Sequence, residues 1–490
     1  MTFHAARMLS AMLAMTAVAG CATNPVTGRS DVVMMSESQE IQLGREEHAK
    51  ILQEFGRYDD LALQDYVTRV GQRIAAVSHR PQLQYTFTVL DSQDINAFAL
   101  PGGYVYITRG IMAYLNSEAE LVAVLGHEVG HVTARHSVRQ QSGAMATGVG
   151  ATVIGILTGS GDLASVANMA GTALVSGYGR DMELEADSLG AQYLDRLGYD
   201  PDAMIDVVRL LKNQESFELQ QARIENREPR VYHGVFSTHP DNDTRLKEVV
   251  KAAHKVEPNA AAPRPDGRDA YLDRVKGMAF GSSAAQGMVR GSRFYHADMA
   301  FTVAFPSAWT IKNLPSKVLG YPAQKDAYLE LYAMAMPPNL TPREFLVKNL
   351  SGTTLSSAEN LQVNGLQGYT AVARDVQLPW GNRGQARFAV VYLNGMAYVF
   401  RGATRMAAGF AAADPLFLSS IKTFRRLKDS EFALAEPTHI ELVKATPQTR
   451  IQGLAQSSPI RPYPAEQLRL LNDLYPDKEP TAGQVLKVVN

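Results

Sequence analysis

The stretch from Leu121 to His136, LVAVLGHEVGHVTARH, constrains this chain more than any other. It contains His-Glu-x-x-His, and the four-residue spacing of His127 and His131 places both imidazoles on one face of a helix, where they can bind one cation. Glu128 is turned from His127 by about 100° around that helix, near such a cation without having to ligate it. Gly126 and Gly130 allow another backbone or a ligand to approach closely, and no proline interrupts Glu118 to Arg135. On this stretch alone two readings stay open: a metal site, or two histidines on a packed helix.

A catalytic zinc usually has three protein ligands and one open position for water. The pattern that would supply a third histidine nearby fails, because Ala134 and Ser137 stand where Gly and His are required. His136 is also unsuitable, since at nine residues from His127 it falls on the opposite side of the same helix. The remaining candidate lies downstream in GRDMELEADSLGAQYL, where Glu183 and Asp187 share a helical face and Glu185 points roughly the other way. Glu183 is therefore expected as the third ligand. Asp187 is expected to hydrogen-bond a ligating imidazole, with His127 the candidate, and so fix its tautomer. Two imidazoles and a carboxylate suit zinc, one ion per chain.

The N-terminus MTFHAARMLSAMLAMTAVAGC has one early arginine, a short apolar stretch and then small residues leading to the only cysteine, Cys21. The apolar run is too short to span a membrane and reads as a signal peptide over residues 1–20. Val18-Ala19-Gly20-Cys21 resembles the lipobox of bacterial lipoproteins, which implies acylation of Cys21 and an anchor that does not span the bilayer. Ala22 after the acylated position implies the outer membrane, facing the periplasm.

At 490 residues, 46% hydrophobic and 20% charged with a formal net charge of −1, the chain is long enough for about three domains and has no basic excess to suggest nucleic acid. Helical spacing marks Ser36 to Phe55 and Leu61 to Val77, and His48 reads there as a solvated helix residue. Tyr85 to Leu90 and Gly103 to Thr108 alternate as strands, with Pro101-Gly102-Gly103 as the turn; this edge offers pairing to an extended peptide. The stretch from Gln141 to Gly179, rich in small residues, is too broken by glycine for a membrane span and reads as close-packed helices or a lid. A linker at 256–268 closes a first domain at 21–255. Residues 269–430 read as an α+β domain and 431–490 as strand, helix, helix, strand. Trp309 and Trp380 are expected in the core of the former.

These motifs together resemble the gluzincins, the HtpX, BepA and CAAX prenyl protease family of His-Glu-x-x-His zinc metallopeptidases. The resemblance rests on His127-Glu128-x-x-His131, Glu183-Leu-Glu-Ala-Asp187, NPVTGR after Cys21, INAFALPGG before the site helix and STHPDNDTR after it. It implies an α+β multidomain protein whose helical peptidase domain carries a small edge sheet, and a zinc endopeptidase acting on misfolded or stalled outer-membrane proteins. Glu128 would be the general base, and Asn96 and Ala97 would hold substrate backbone. His239 would approach the zinc, either as a removable fourth ligand that keeps the enzyme latent or, with Arg245, as a group that supports the oxyanion. The chain lacks the tetratricopeptide repeats of the BepA pattern, so contacts made by such repeats do not carry over. The later domains are similar to PsbP, and to a degenerate LysM in which TPQTR replaces the usual opening. Two rivals remain: a chaperone or assembly scaffold with a mostly closed site, and a peptidoglycan-associated binding protein. Partners outside the substrate class would be outer-membrane assembly machinery or peptidoglycan.

Overall fold

The computed structural model describes residues 20–33, 35–146, 178–227, 229, 266–314 and 316–490. Nearly all of the expected signal peptide, most of the small-residue stretch, most of the linker, and both His239 and Arg245 lie outside the described residues.

Cys21 lies in β1 (Gly20–Thr23), which pairs antiparallel with β2 (Ser30–Val33). Helix α1 (Glu37–Phe55) opens on a capping box formed by Ser36 and Gln39, and α2 (Leu61–Val77) is capped by Asp60. His48 on α1 is half-buried, not solvated as expected: its Nδ1 lies 2.7 Å from the hydroxyl of buried Tyr106. Three short strands follow, β3 (Thr86–Leu90), β4 (Ala97–Leu100) and β5 (Tyr104–Thr108). They order as β3-β5-β4, with β3 parallel to β5 and β4 returning antiparallel at the edge. Gly102 and Gly103, at φ 79° and 92°, make the turn that side chains disfavour.

After α3 (Arg109–Tyr114) comes α4 (Glu118–Thr133), which carries the His-Glu-x-x-His run. Ser117 caps it by accepting from Glu120 N. Nearly every α4 residue is buried, as an apolar helix without a polar face must be. It is enclosed by β4, α2, α6 (Arg180–Arg196) and α7 (Ala203–Ile224), while α5 (His136–Ala146) starts just beyond its end. The crossing of α4 with α6 is unusually close. A Cβ on Gly130 would sit 3.1 Å from the Ala186 carbonyl, and one on Gly190 would sit 3.1 Å from His127 N. The glycines of the motif thus bring Glu183 and Asp187 to the histidines.

Residues 269–280 were expected to open the α+β domain, yet α8 (Arg268–Val275) and β6 (Ala279–Phe280) pack with the first unit. Tyr271, Leu272 and Val275 share its core. The α+β unit then runs through β7 (Met288–Arg290), β8 (Arg293–His296), β9 (Phe301–Ala304), β10 (Thr310–Leu314), β11 (Lys317–Tyr321) and β12 (Ala327–Ala335). After α9 (Pro342–Asn349) it continues with β13 (Thr354–Val363), β14 (Leu366–Gln377), β15 (Arg383–Leu393), β16 (Met396–Thr404), α10 (Phe410–Lys422) and β17 (Arg425–Arg426). Its main sheet is antiparallel in the order β10-β11-β12-β16-β15-β14-β13, and a smaller sheet runs β17-β9-β8-β7. Trp309 and Trp380 are partly buried against its cores.

The last residues return to the first unit as β18 (Thr438–Lys444), α11 (Ile451–Ser457), α12 (Pro464–Leu471) and β19 (Val485–Val489), the expected strand, helix, helix, strand order. Strand β18 pairs with β19 on one side and β6 on the other, so the α+β unit is inserted between two paired strands. Ile440, Leu468, Leu471 and Leu486 belong to the same apolar core as α4. Lys487 is wholly buried there and its Nζ donates to the carbonyls of Ala113 and Leu115, both 2.6 Å away. Burial pulls this amine below the usual lysine range and pushes the neighbouring Glu120 carboxyl above its own.

Candidate metal centre

His127 and His131 project from α4 toward the first turn of α6, where Glu183 is fully buried. The two Nε2 atoms lie 3.0 Å apart, and oxygens of Glu183 lie 3.6 Å from the first and 3.5 Å from the second. Tetrahedral zinc with bonds of about 2.0–2.1 Å holds its ligand atoms roughly 3.3 Å apart, so this triangle has the right size. The Nδ1 of His127 is 2.8 Å from Asp187 Oδ1, which turns its Nε2 lone pair inward. Lone-pair atoms buried at this spacing need a proton or a metal cation among them. The residues therefore fit a divalent metal. Glu128 is buried beside His127 and stands apart from the three-donor group.

The structure brings together four of the residues expected here, His127, His131, Glu183 and Asp187, with Glu128 adjacent. Asn96 is buried in the edge hairpin, its carbonyl accepting from Thr108 N. By the alternation of an antiparallel ladder, the N–H and C=O groups of Ala97 and Ala99 then face away from β5. Ala99, Leu100 and Pro101 line a small pocket with His131 and Tyr178.

His136 requires a correction. The sequence predicts it on the far side of a continuous helix, but α4 ends at Thr133 and Arg135 takes a left-handed conformation at φ 55°. The chain turns back, and His136 opens α5 with its Nδ1 2.7 Å from Nδ1 of His131. Its Nε2 lies 3.1 Å from Glu185 Oε2, and Arg139 donates to the same oxygen at 2.9 Å. These hydrogen bonds, that of His136 foremost, hold the Glu185 carboxyl at about 2. Tyr178 was also missed. Its ring stacks on His131 at 4.0 Å and its hydroxyl lies 2.6 Å from Ser137 Oγ. Burial, with Glu128 and Glu183 nearby, pushes that phenol above its ordinary range. Its position just ahead of the Glu183 helix was the one available signal.

The turn at Arg135 is held from a distance. Glu40 on α1, 1% exposed, accepts from Arg80 at 2.8 Å and from Arg135 at 2.9 Å, and Arg80 also donates to the Val132 carbonyl. Glu40 Oε1 also lies 3.4 Å from Gly102 N in the edge hairpin. Removing one partner of a buried ion pair strands the other, so Glu40→Ala is expected to cost about 3–5 kcal/mol in chemical denaturation. A loss under about 1 kcal/mol would show that Arg80 and Arg135 find other acceptors.

Residues 62–253 match the sequence profile of Peptidase family M48. The beta-barrel assembly-enhancing protease of Escherichia coli strain K12 is 29% identical over 270 residues, 53% of this chain and 53% of that protein. Its Yersinia pestis counterpart is 32% identical over 230 residues, 45% of each chain. The mitochondrial metalloendopeptidase OMA1 of Schizosaccharomyces pombe is 28% identical over 46% of this chain and 64% of its own. The chain thus spans about half the length of the bacterial relatives it matches. Among solved structures, cyanobacterial PsbP from Synechocystis sp. PCC 6803 aligns with 29% of this chain and 95% of its own at 16% identity and a TM-score of 0.23. The buried His-His-Glu set on two tightly crossed helices lies wholly within residues 62–253, the stretch that is similar to Peptidase family M48.

Proposed function

We propose that this chain is a zinc metalloendopeptidase of the bacterial cell envelope, anchored by a lipid on Cys21 to the outer membrane and facing the periplasm. Its substrates are misfolded or stalled outer-membrane and periplasmic polypeptides. The observation that carries this reading is the convergence of His127, His131 and Glu183 on one buried point with Glu128 beside them. The printed name of the bacterial relatives, beta-barrel assembly-enhancing protease, supports the substrate class. Among the described residues no helix is long and apolar enough to cross a membrane.

His127, His131 and Glu183 would hold the zinc, which when bound would supply Lewis acidity for activating water and polarising a peptide carbonyl. Glu128 takes a proton from the attacking water and returns it to the leaving amine. Asp187 keeps His127 in the tautomer that ligates through Nε2. The outward-facing backbone groups of Ala97 and Ala99, beside Asn96, pair with substrate held in extended form.

His239 and Arg245 complete the proposal. His239 either closes the open position or, with Arg245, supports the oxyanion. The test is metal analysis together with casein proteolysis by wild type and His239→Ala. A latency role predicts that His239→Ala is several-fold more active than wild type; an oxyanion role predicts a loss of roughly 10-fold or more. Zinc-replete protein inactive in both forms would favour a scaffold over a protease.

A further inference from the structure

We propose that His136 and Glu185 are positioning residues that set the tautomer of His131 through a two-step hydrogen-bond relay, distinct from the single carboxylate that serves His127. The proposal rests on the metal reading of the site. It starts from the requirement that a ligating imidazole present an unprotonated nitrogen to the metal. His131 points Nε2 at the centre, so a neutral ring must carry its proton on Nδ1. That Nδ1 faces another histidine nitrogen at 2.7 Å, a contact that is favourable only when one nitrogen donates and the other accepts. His131 Nδ1–H therefore donates to His136 Nδ1. His136 must then hold its own proton on Nε2, and the acceptor for it is present: Glu185 Oε2 at 3.1 Å. Arg139 donates to the same oxygen at 2.9 Å and keeps the acceptor in place.

Every tautomer in this chain follows from the one before it, and no proton is left without an acceptor. The relay also joins three helices, since His131 is on α4, His136 opens α5 and Glu185 is on α6. Glu183 and Glu185 thus act on one histidine from two sides: the first faces Nε2, the second reaches Nδ1 through His136. The two-residue offset that turns Glu185 away from the metal is what aims it at His136.

Partners of this kind typically change metal affinity by about 10–100-fold. The measurement is zinc affinity of the full chain by competition with a chelating dye, alongside the thermal midpoint of each metal-free form. His136→Phe keeps a ring but removes the acceptor, and Glu185→Ala removes the end of the relay at a partly exposed position that tolerates truncation. Both are expected to weaken zinc binding by about 10-fold or more, and Glu185→Gln, which retains an oxygen for His136 Nε2–H, to recover part of the loss. Because the groups act in series, the double variant His136→Phe/Glu185→Ala is expected to be no weaker than His136→Phe alone. Wild-type affinity in Glu185→Ala, or additive losses in the double variant, would overturn the relay while leaving the metal site standing. A fall in the metal-free midpoint with unchanged affinity would assign these residues to structure alone. Wild-type protein that binds no zinc would instead overturn the metal reading itself.

Discussion

Glu128→Gln is expected to retain wild-type zinc content and to hydrolyse peptide bonds about 10²–10⁴-fold more slowly than the parent. Glutamine has the size of glutamate, so the buried slot beside His127 stays filled and the crossing of α4 with α6 is undisturbed. Glu128 stands outside the three-donor group, so metal retention is not at stake. What disappears is the proton acceptor. Steady-state cleavage of a quenched peptide, set beside metal analysis of the same samples, separates the two. A loss of only a few-fold would remove Glu128 from the role of general base, and a loss of zinc would make it a ligand.

Truncation after Gln484 is expected to unfold the peptidase unit, far more than loss of an appended module would. Strand β19 contributes Leu486, Val488 and Val489 to burial, together on the order of 5–9 kcal/mol of apolar stabilisation. That is comparable to the whole stability of an ordinary domain, about 5–15 kcal/mol. The cut also removes Lys487, whose amine satisfies the carbonyls of Ala113 and Leu115 just ahead of the site helix, and leaves β18 with an open edge. Thermal melting and limited proteolysis of the shortened chain check this. An unchanged midpoint would show that the terminal strand, helix, helix, strand unit folds apart from the site.

The same contrast explains what could be read from the residues. His127 with His131, and Glu183 with Asp187, each share a helix face as their spacing suggested, because a four-residue interval on a helix is a local property. The strands from Tyr85 to Thr108 and the order of the last sixty residues were legible for the same reason: alternation and turn chemistry act over a few positions. His136 was lost because its position depends on Arg135 leaving the helix, and Arg135 is held by Glu40, 95 residues away in sequence. No local pattern carries that pair. The insertion of the α+β unit was hidden likewise, since it depends on two residues, Ala279 and Phe280, pairing with Thr438 and His439. Tyr178 gave no periodic signal, and its stacking on His131 is a tertiary contact.

The proposed metal-dependent peptide-cleaving site is the His127, His131 and Glu183 cluster within residues 62–253. Its most direct test is to incubate the chelator-stripped chain, the zinc-restored chain and zinc-loaded Glu128→Gln with an unfolded outer-membrane β-barrel polypeptide, and to identify new N-termini by mass spectrometry. New N-termini are expected only with the zinc-restored parent. Equal cleavage by the stripped chain, or none by the zinc-restored parent and its His239→Ala form, would contradict it.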